Sequence, residues 1–123
     1  MALTTPIPEV PESRQTNAVG CQQATFLLIP GTSDYPTGGY VVSGLQLRMP
    51  KGIFSASIDG WNSTANGLGY GFNVILGMTL ASNNIPIVAT SFALYAYVLT
   101  TSLQVANGQN LSGAIFSVTV QGY

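Results

Sequence analysis

Twelve consecutive residues, Gly69 to Leu80, place a large apolar side chain at every even position: Tyr70, Phe72, Val74, Leu76, Met78 and Leu80. The odd positions hold Gly69, Gly71, Asn73, Ile75, Gly77 and Thr79, most of them small. A repeat of two residues is that of a pleated strand, in which successive side chains point to opposite faces; a helix would need a repeat of 3.6. The stretch predicts one long strand, with a small face that admits a second backbone or an aromatic ring at close range.

Shorter runs repeat the pattern. Residues 53–59 alternate, with Phe54, Ala56 and Ile58 expected inward and Ser55, Ser57 and Asp59 outward. Ala24 to Ile29 is a short apolar run closed by Pro30-Gly31, and Ala114 to Val120 offers Phe116, Val118 and Val120 to a core while Ser117, Thr119 and Gln121 face out. Tyr40 to Leu47 fits either one strand bent at Gly44 or a strand followed by a short turn. Asn83-Asn84 turns the chain before Ile85-Pro86-Ile87-Val88, and residues 103–110 form a turn-rich connection through Asn107-Gly108. Ser91 to Leu99 has no polar face: Phe92, Leu94, Ala96 and Val98 oppose Ala93, Tyr95, Tyr97 and Leu99. An antiparallel sheet usually shows water one face, so this strand needs a second cover, either a partner protein met by Tyr95, Tyr97 and Leu99 or a loop of its own chain. About seven short strands with turn signals between them, and no competing helical window, predict an all-β antiparallel sandwich of jelly-roll or Greek-key type.

The strongest turn signal is Asp34-Tyr35-Pro36-Thr37-Gly38-Gly39-Tyr40. Pro36 suits the second position of a type I turn, with Gly38 at the fourth and Gly39 free to take positive φ. Before the body, residues 1–22 read as an extended N-terminal arm, because Pro6, Pro8 and Pro11 each remove a backbone donor and push the preceding residue toward extended conformations. Such an arm is a free tail or a strap laid on a neighbouring molecule, and residues 23–123 are the sandwich domain.

Charge sets this chain apart. Of 123 residues only seven are charged, Glu9, Glu12, Arg14, Asp34, Arg48, Lys51 and Asp59, and nothing after Asp59 is. That is 6%, where an ordinary soluble domain carries about 25%. Either other subunits cover much of the surface in the working state, or the many Ser, Thr, Asn and Gln residues keep a monomer in solution. The first reading makes the chain part of an assembly. Three cations cannot neutralise a nucleic-acid backbone, which argues against a nucleic-acid reader. The longest apolar window, Ile85 to Leu99, is short of the about 20 residues of a spanning helix and is broken by Pro86, Thr90 and Ser91, so no membrane partner is expected. The first residues lack a basic start followed by an apolar stretch and read as carrying no secretory signal. The single cysteine, Cys21, forms no intrachain disulfide and reads as an inert thiol.

Candidate chemistry is thin. Without histidine, Ser-His and Cys-His mechanisms lack their usual base. Asp34 and Asp59 are the only carboxylates of the body; a hydrolase built on them would need both flanking one cleft, and turn and strand-end aspartates are commonplace. Gly67-Leu68-Gly69-Tyr70-Gly71-Phe72 lacks the spacing and the following helix of a phosphate loop, and Asn62-Ser63-Thr64 and Asn110-Leu111-Ser112 match glycosylation acceptors by pattern only. No catalytic residue, metal ligand set or cofactor is expected. On a predicted exposed loop, residues 60–67, Trp61 stands with Asp59, Asn62 and Asn66, either as a platform for a sugar ring or as a packing plug or interface anchor.

Two segments carry a resemblance. Asp34 to Tyr40, followed by Leu45 to Met49, resembles the "Y-P-T-G-G" segment of small tailed-phage virion proteins; Val105 to Ser112, followed by an apolar strand ending in Gly122-Tyr123, is similar to their C-terminal pattern. Among such proteins the closest likeness is to capsid decoration, or cement, proteins. The resemblance implies a non-enzymatic β-sandwich on the outer surface of a bacteriophage head, made in the bacterial host cytoplasm, with the major capsid protein and its own copies, as a homodimer or homotrimer, as partners. The expected contact residues are Tyr95, Tyr97, Leu99, Trp61, Pro6, Pro8 and Pro11, with Pro36, Gly38 and Gly39 as a structural turn. The alternative is a glycan-binding module of a phage tail or fibre, using Trp61.

Overall fold

The structure, a computed structural model, describes residues 7–32, 35–62 and 69–123. Their regular structure is all strand: β1 (Gln15–Thr16), β2 (Gln22–Leu28), β3 (Tyr40–Ser43), β4 (Ile53–Asn62), β5 (Tyr70–Leu76), β6 (Thr79–Leu80), β7 (Pro86–Ile87), β8 (Ser91–Val98) and β9 (Ile115–Gly122). The fold is all-β and antiparallel, as the alternating runs require. One sheet has the order β1-β2-β9-β4, a second β3-β8-β5, and β6-β7 is a separate two-stranded ribbon. The last strand of the chain lies at the centre of the first sheet, pairing β2 on one side and β4 on the other.

The two larger sheets feed one apolar cluster. Ala24, Phe26 and Leu28 of β2 and Phe116, Val118 and Val120 of β9 join Tyr40 and Val42 of β3 and Phe92, Leu94 and Ala96 of β8. Each set is every second residue of its strand, the face that alternation predicts. Ile53 couples the sheets at one end, its N–H donating to the Ala89 carbonyl at 2.7 Å.

Several boundaries differ from the sequence expectation, each for a tertiary reason. The long strand over residues 69–80 is two: β5 ends at Leu76, opposite Phe92 near the start of β8, and Thr79–Leu80 pairs with β7 instead. Alternation cannot register that a strand has run out of partner. Of the two readings of residues 40–47, the structure takes the strand plus turn: residues 44–49 fold into successive tight turns that seat Leu47 and Met49 in the core. Phe54 is not inward. A register shift between Ile53 and Ser55 makes it the extra residue of a β-bulge; Ile53 is buried and Phe54 lies outside, stacked on Tyr123 with centroids 5.0 Å apart. Of the predicted loop 60–67, residues 60–62 belong to β4, which runs through Trp61 to Asn62; Asn66 and the rest of the sequon, Ser63-Thr64, lie outside the described residues.

The turn at Pro36 is displaced by one residue. The Gly39 N–H donates to the Pro36 carbonyl at 3.0 Å, so Pro36 is the first residue and Gly38, at φ 92°, the third. Positive φ at the third position is the type II pattern, not type I. Asp34 lies outside the described residues. The flanking tyrosines are fully buried and meet edge to face, centroids 5.5 Å apart.

Residues 7–22 are the edge of the first sheet. Leu27 N–H donates to the Pro8 carbonyl at 2.8 Å, Val10 N–H to the Thr25 carbonyl at 2.9 Å, and Ile7 enters the core. Pro8 and Pro11 suit an edge because no further strand needs their missing donors. Pro11 and Glu12 turn the chain away from β2, and the Ser13 hydroxyl accepts from Thr25 N–H at 3.1 Å where the strand backbone has left. The expected boundary at residues 22 and 23 therefore falls inside the β1–β2 pairing, and residues 7–22 of the expected arm lie on their own chain.

Candidate interaction surface

The outer face of the second sheet follows from its register. Val41, Ala93 and Ile75 form one row across β3, β8 and β5; Tyr95 lies beside Asn73 and Tyr97 beside Gly71. No charged residue occurs on the three strands. Val41 and Ile75 are about half exposed, at 48% and 52%. Tyr95 and Tyr97 are partly covered and Leu99 is exposed. The Tyr97 ring lies directly over Gly71, where any side chain would meet it, so the small face of β5 does admit an aromatic ring. Residues 103–105 run along β8 beyond the end of β3, Val98 N–H donating to the Leu103 carbonyl at 2.8 Å and Val105 N–H to the Ala96 carbonyl at 3.1 Å. These bonds extend the sheet edge past β3, while Val41 and Ile75 on the outer face stay about half exposed.

The β6–β7 ribbon was not legible as a surface feature. Ala81 accepts from Asn84 N–H at 2.9 Å, and Asn84 takes a left-handed φ of 62°, a conformation asparagine tolerates. Both strands are exposed throughout. Met78, Leu80, Ile85 and Ile87 together present four large apolar side chains at 47–65% exposure. A two-stranded ribbon with no buried face is marginal in water. The available signal was Asn83-Asn84 set between two apolar runs, masked by the unbroken alternation up to Leu80.

Trp61 is an inward-facing residue at the rim. It pairs with buried Phe116 across β4 and β9 and meets Phe72 of β5 edge-on at 5.1 Å; Phe72 in turn meets Phe116 at 4.7 Å. This chain of rings plugs the gap between the sheets and leaves the indole 44% exposed. Asn62 takes the opposite face by alternation, and Asp59 accepts a hydrogen bond from the Thr119 hydroxyl. A flat sugar platform flanked by Asp59 and Asn62 is not assembled.

The charges concentrate elsewhere. Arg14 grips Glu9 through Nε at 2.9 Å and Nη2 at 3.0 Å, donates to the Leu47 carbonyl at 3.0 Å and to Gln22, and lies over the Phe26 ring. Arg48 also donates to Glu9. Hydrogen bonds from Arg14 hold the Glu9 carboxyl below its ordinary value, against burial, with Arg48 adding to the effect. These groups fasten the N-terminal segment to the body and leave the second sheet and the ribbon uncharged. Of the proline contact candidates, Pro8 and Pro11 serve the sheet edge and Pro6 lies outside the described residues.

Among the described residues no three His, Cys, Asp or Glu side chains gather in a set that could hold a metal ion, and no helix is long and apolar enough to cross a membrane. Asp34 lies outside those residues, so the Asp34–Asp59 pairing has no geometry.

No known family matches this chain, and no curated protein or solved structure does.

Proposed function

We propose that this chain is a capsid decoration protein that binds the outer surface of a bacteriophage head through the major capsid protein. One observation carries the reading. The β6–β7 ribbon exposes Met78, Leu80, Ile85 and Ile87 with neither face buried, in a chain half without charge. An uncharged, apolar, protruding ribbon gains most from burial against another protein. The resemblance of residues 34–49 and 105–123 to small tailed-phage virion proteins supplies the partner. Weak apolar contacts repeated over many symmetric copies reinforce a shell by avidity, even where each alone is slight. Homodimers or homotrimers, joined through the Val41-Ala93-Ile75 row, fit the same reading. It has no enzymatic step and no cofactor.

The test is cosedimentation with expanded heads purified from a lysate in which the coding sequence of this chain is deleted. Wild-type protein is expected to pellet with the heads and raise their melting temperature. A protein that light scattering shows to be a stable monomer, and that leaves the heads bare, overturns the reading.

A further inference from the structure

On the first sheet, away from the ribbon, a groove of about 390 Å³ opens over β1, β2 and β9. Its lining is uncharged and rich in amides, among them Gln15, Gln23 and Gln121, and includes Phe54 and Cys21. The register explains the grouping: Gln15 lies opposite Gln23, and Gln23 opposite Gln121, so one row of amides crosses three strands, at steps of about 4.8 Å.

We infer that this groove is a binding site for a neutral carbohydrate. Gln121 Nε2 donates to Gln23 Oε1 at 2.8 Å. That bond leaves the Gln23 amino group as a donor and the Gln121 carbonyl as an acceptor, on two cross-strand neighbours and without a further side-chain partner among the described residues; the Gln15 side chain is likewise unengaged. A donor beside an acceptor complements neighbouring hydroxyls, each of which both gives and takes a hydrogen bond. Phe54 contributes the apolar element. The bulge turns it out of the core, Tyr123 backs one face of its ring, and 39% of its surface remains open. An aromatic ring beside polar groups suits the mixed faces of a sugar.

Other ligand classes fit worse. An anion finds no cation in the lining, and Arg14, which reaches the lining residue Gln22, spends its donors on Glu9, Leu47 and Gln22. A purely apolar ligand would bury the amides without hydrogen-bond partners, which costs their full desolvation. The volume lies within the range of about 300–1,000 Å³ usual for small-molecule sites. The inference stands apart from the capsid reading, since the groove and the ribbon belong to different sheets.

The full chain is screened on an array of neutral and acidic glycans, and the matching free oligosaccharides are titrated in solution to separate polymer from soluble sugar. Cys21, the sole cysteine, reports occupancy through its rate of alkylation by iodoacetamide. At least one neutral glycan is expected to bind in both formats and slow alkylation. Phe54→Ala and Gln121→Ala are each expected to weaken it by about tenfold or more, with melting temperatures confirming folded variants, while Trp61→Ala leaves it unchanged. No neutral hit, hits confined to acidic glycans, or binding that survives both groove variants overturns the inference.

Discussion

The phenolic oxygen of Tyr35 accepts a hydrogen bond from the backbone N–H of Ala96 at 3.0 Å. β3 pairs with β8 only as far as Leu94, so the Ala96 donor lies beyond the end of its neighbour. A side chain from the turn stands in for the missing strand, and Gln104 Nε2 donates to the same oxygen at 3.2 Å. The Tyr35 backbone is held as well, its carbonyl accepting from Gly108 N–H at 2.8 Å. The segment before β3 is thereby tied to β8 and to the 104–109 connection.

Tyr35→Phe keeps the ring and removes this acceptor, leaving a buried N–H unpaired. The expected loss is about 1–3 kcal/mol in urea unfolding. Stability within a few tenths of wild type would show that the bond contributes nothing.

Gly38 and Gly39 both have positive φ, at 92° and 97°, but their surroundings differ. A methyl group at Gly38 meets no atom within 4 Å, whereas one at Gly39 strikes the Leu94 carbonyl oxygen. Gly38→Ala is expected to cost about 1–2 kcal/mol from backbone strain alone. Gly39→Ala adds an overlap with β8, typically about 1–3 kcal/mol more. Equal losses in the two variants would refute the close approach.

Glu9 gives stability a pH dependence. Its folded carboxyl titrates below the ordinary value of 4.5, so the stabilisation is fully present above that value and disappears as pH falls through the folded pKa. Glu9→Gln is expected to lose about 1.5–3 kcal/mol at pH 7, mostly through Arg14, because Arg48 is 72% exposed and its pairing is screened. The gap between variant and wild type should narrow on acidification below pH 4.5. A gap that is constant with pH in parallel urea titrations would assign the loss to packing.

Leu80→Asp with Ile87→Asp places charge on both faces of the ribbon. Since neither residue is buried, the melting temperature is expected to change little. Binding to undecorated heads is expected to fall below detection in the cosedimentation assay. Retained binding would move the contact surface away from β6–β7.

The strands themselves were legible. Phe116, Val118 and Val120, or Ala24, Phe26 and Leu28, show their faces through simple alternation. The breaks were not: Gly77 interrupts an alternation that continues to Leu80, and the bulge at Phe54 reverses which of two neighbouring residues is buried. Trp61 fell on a predicted loop, as a sugar platform or a packing plug, because the extension of β4 to Asn62 depends on its pairing with β9. The amide row showed no signal at all, since Gln15, Gln23 and Gln121 meet only through strand pairing.

By itself, then, the sequence determined an all-β chain, the core side of most strands, a turn at Pro36 to Gly39 and a second half without charge. Those are consequences of local periodicity, backbone dihedral preference and composition, which any short window contains. Tertiary structure decided that the last strand sits between β2 and β4, that the N-terminal segment lies along its own sheet, and that Tyr35 supplies the acceptor β8 lacks. Each depends on which distant backbone groups are left unpaired, a quantity that exists only once the sheets have formed.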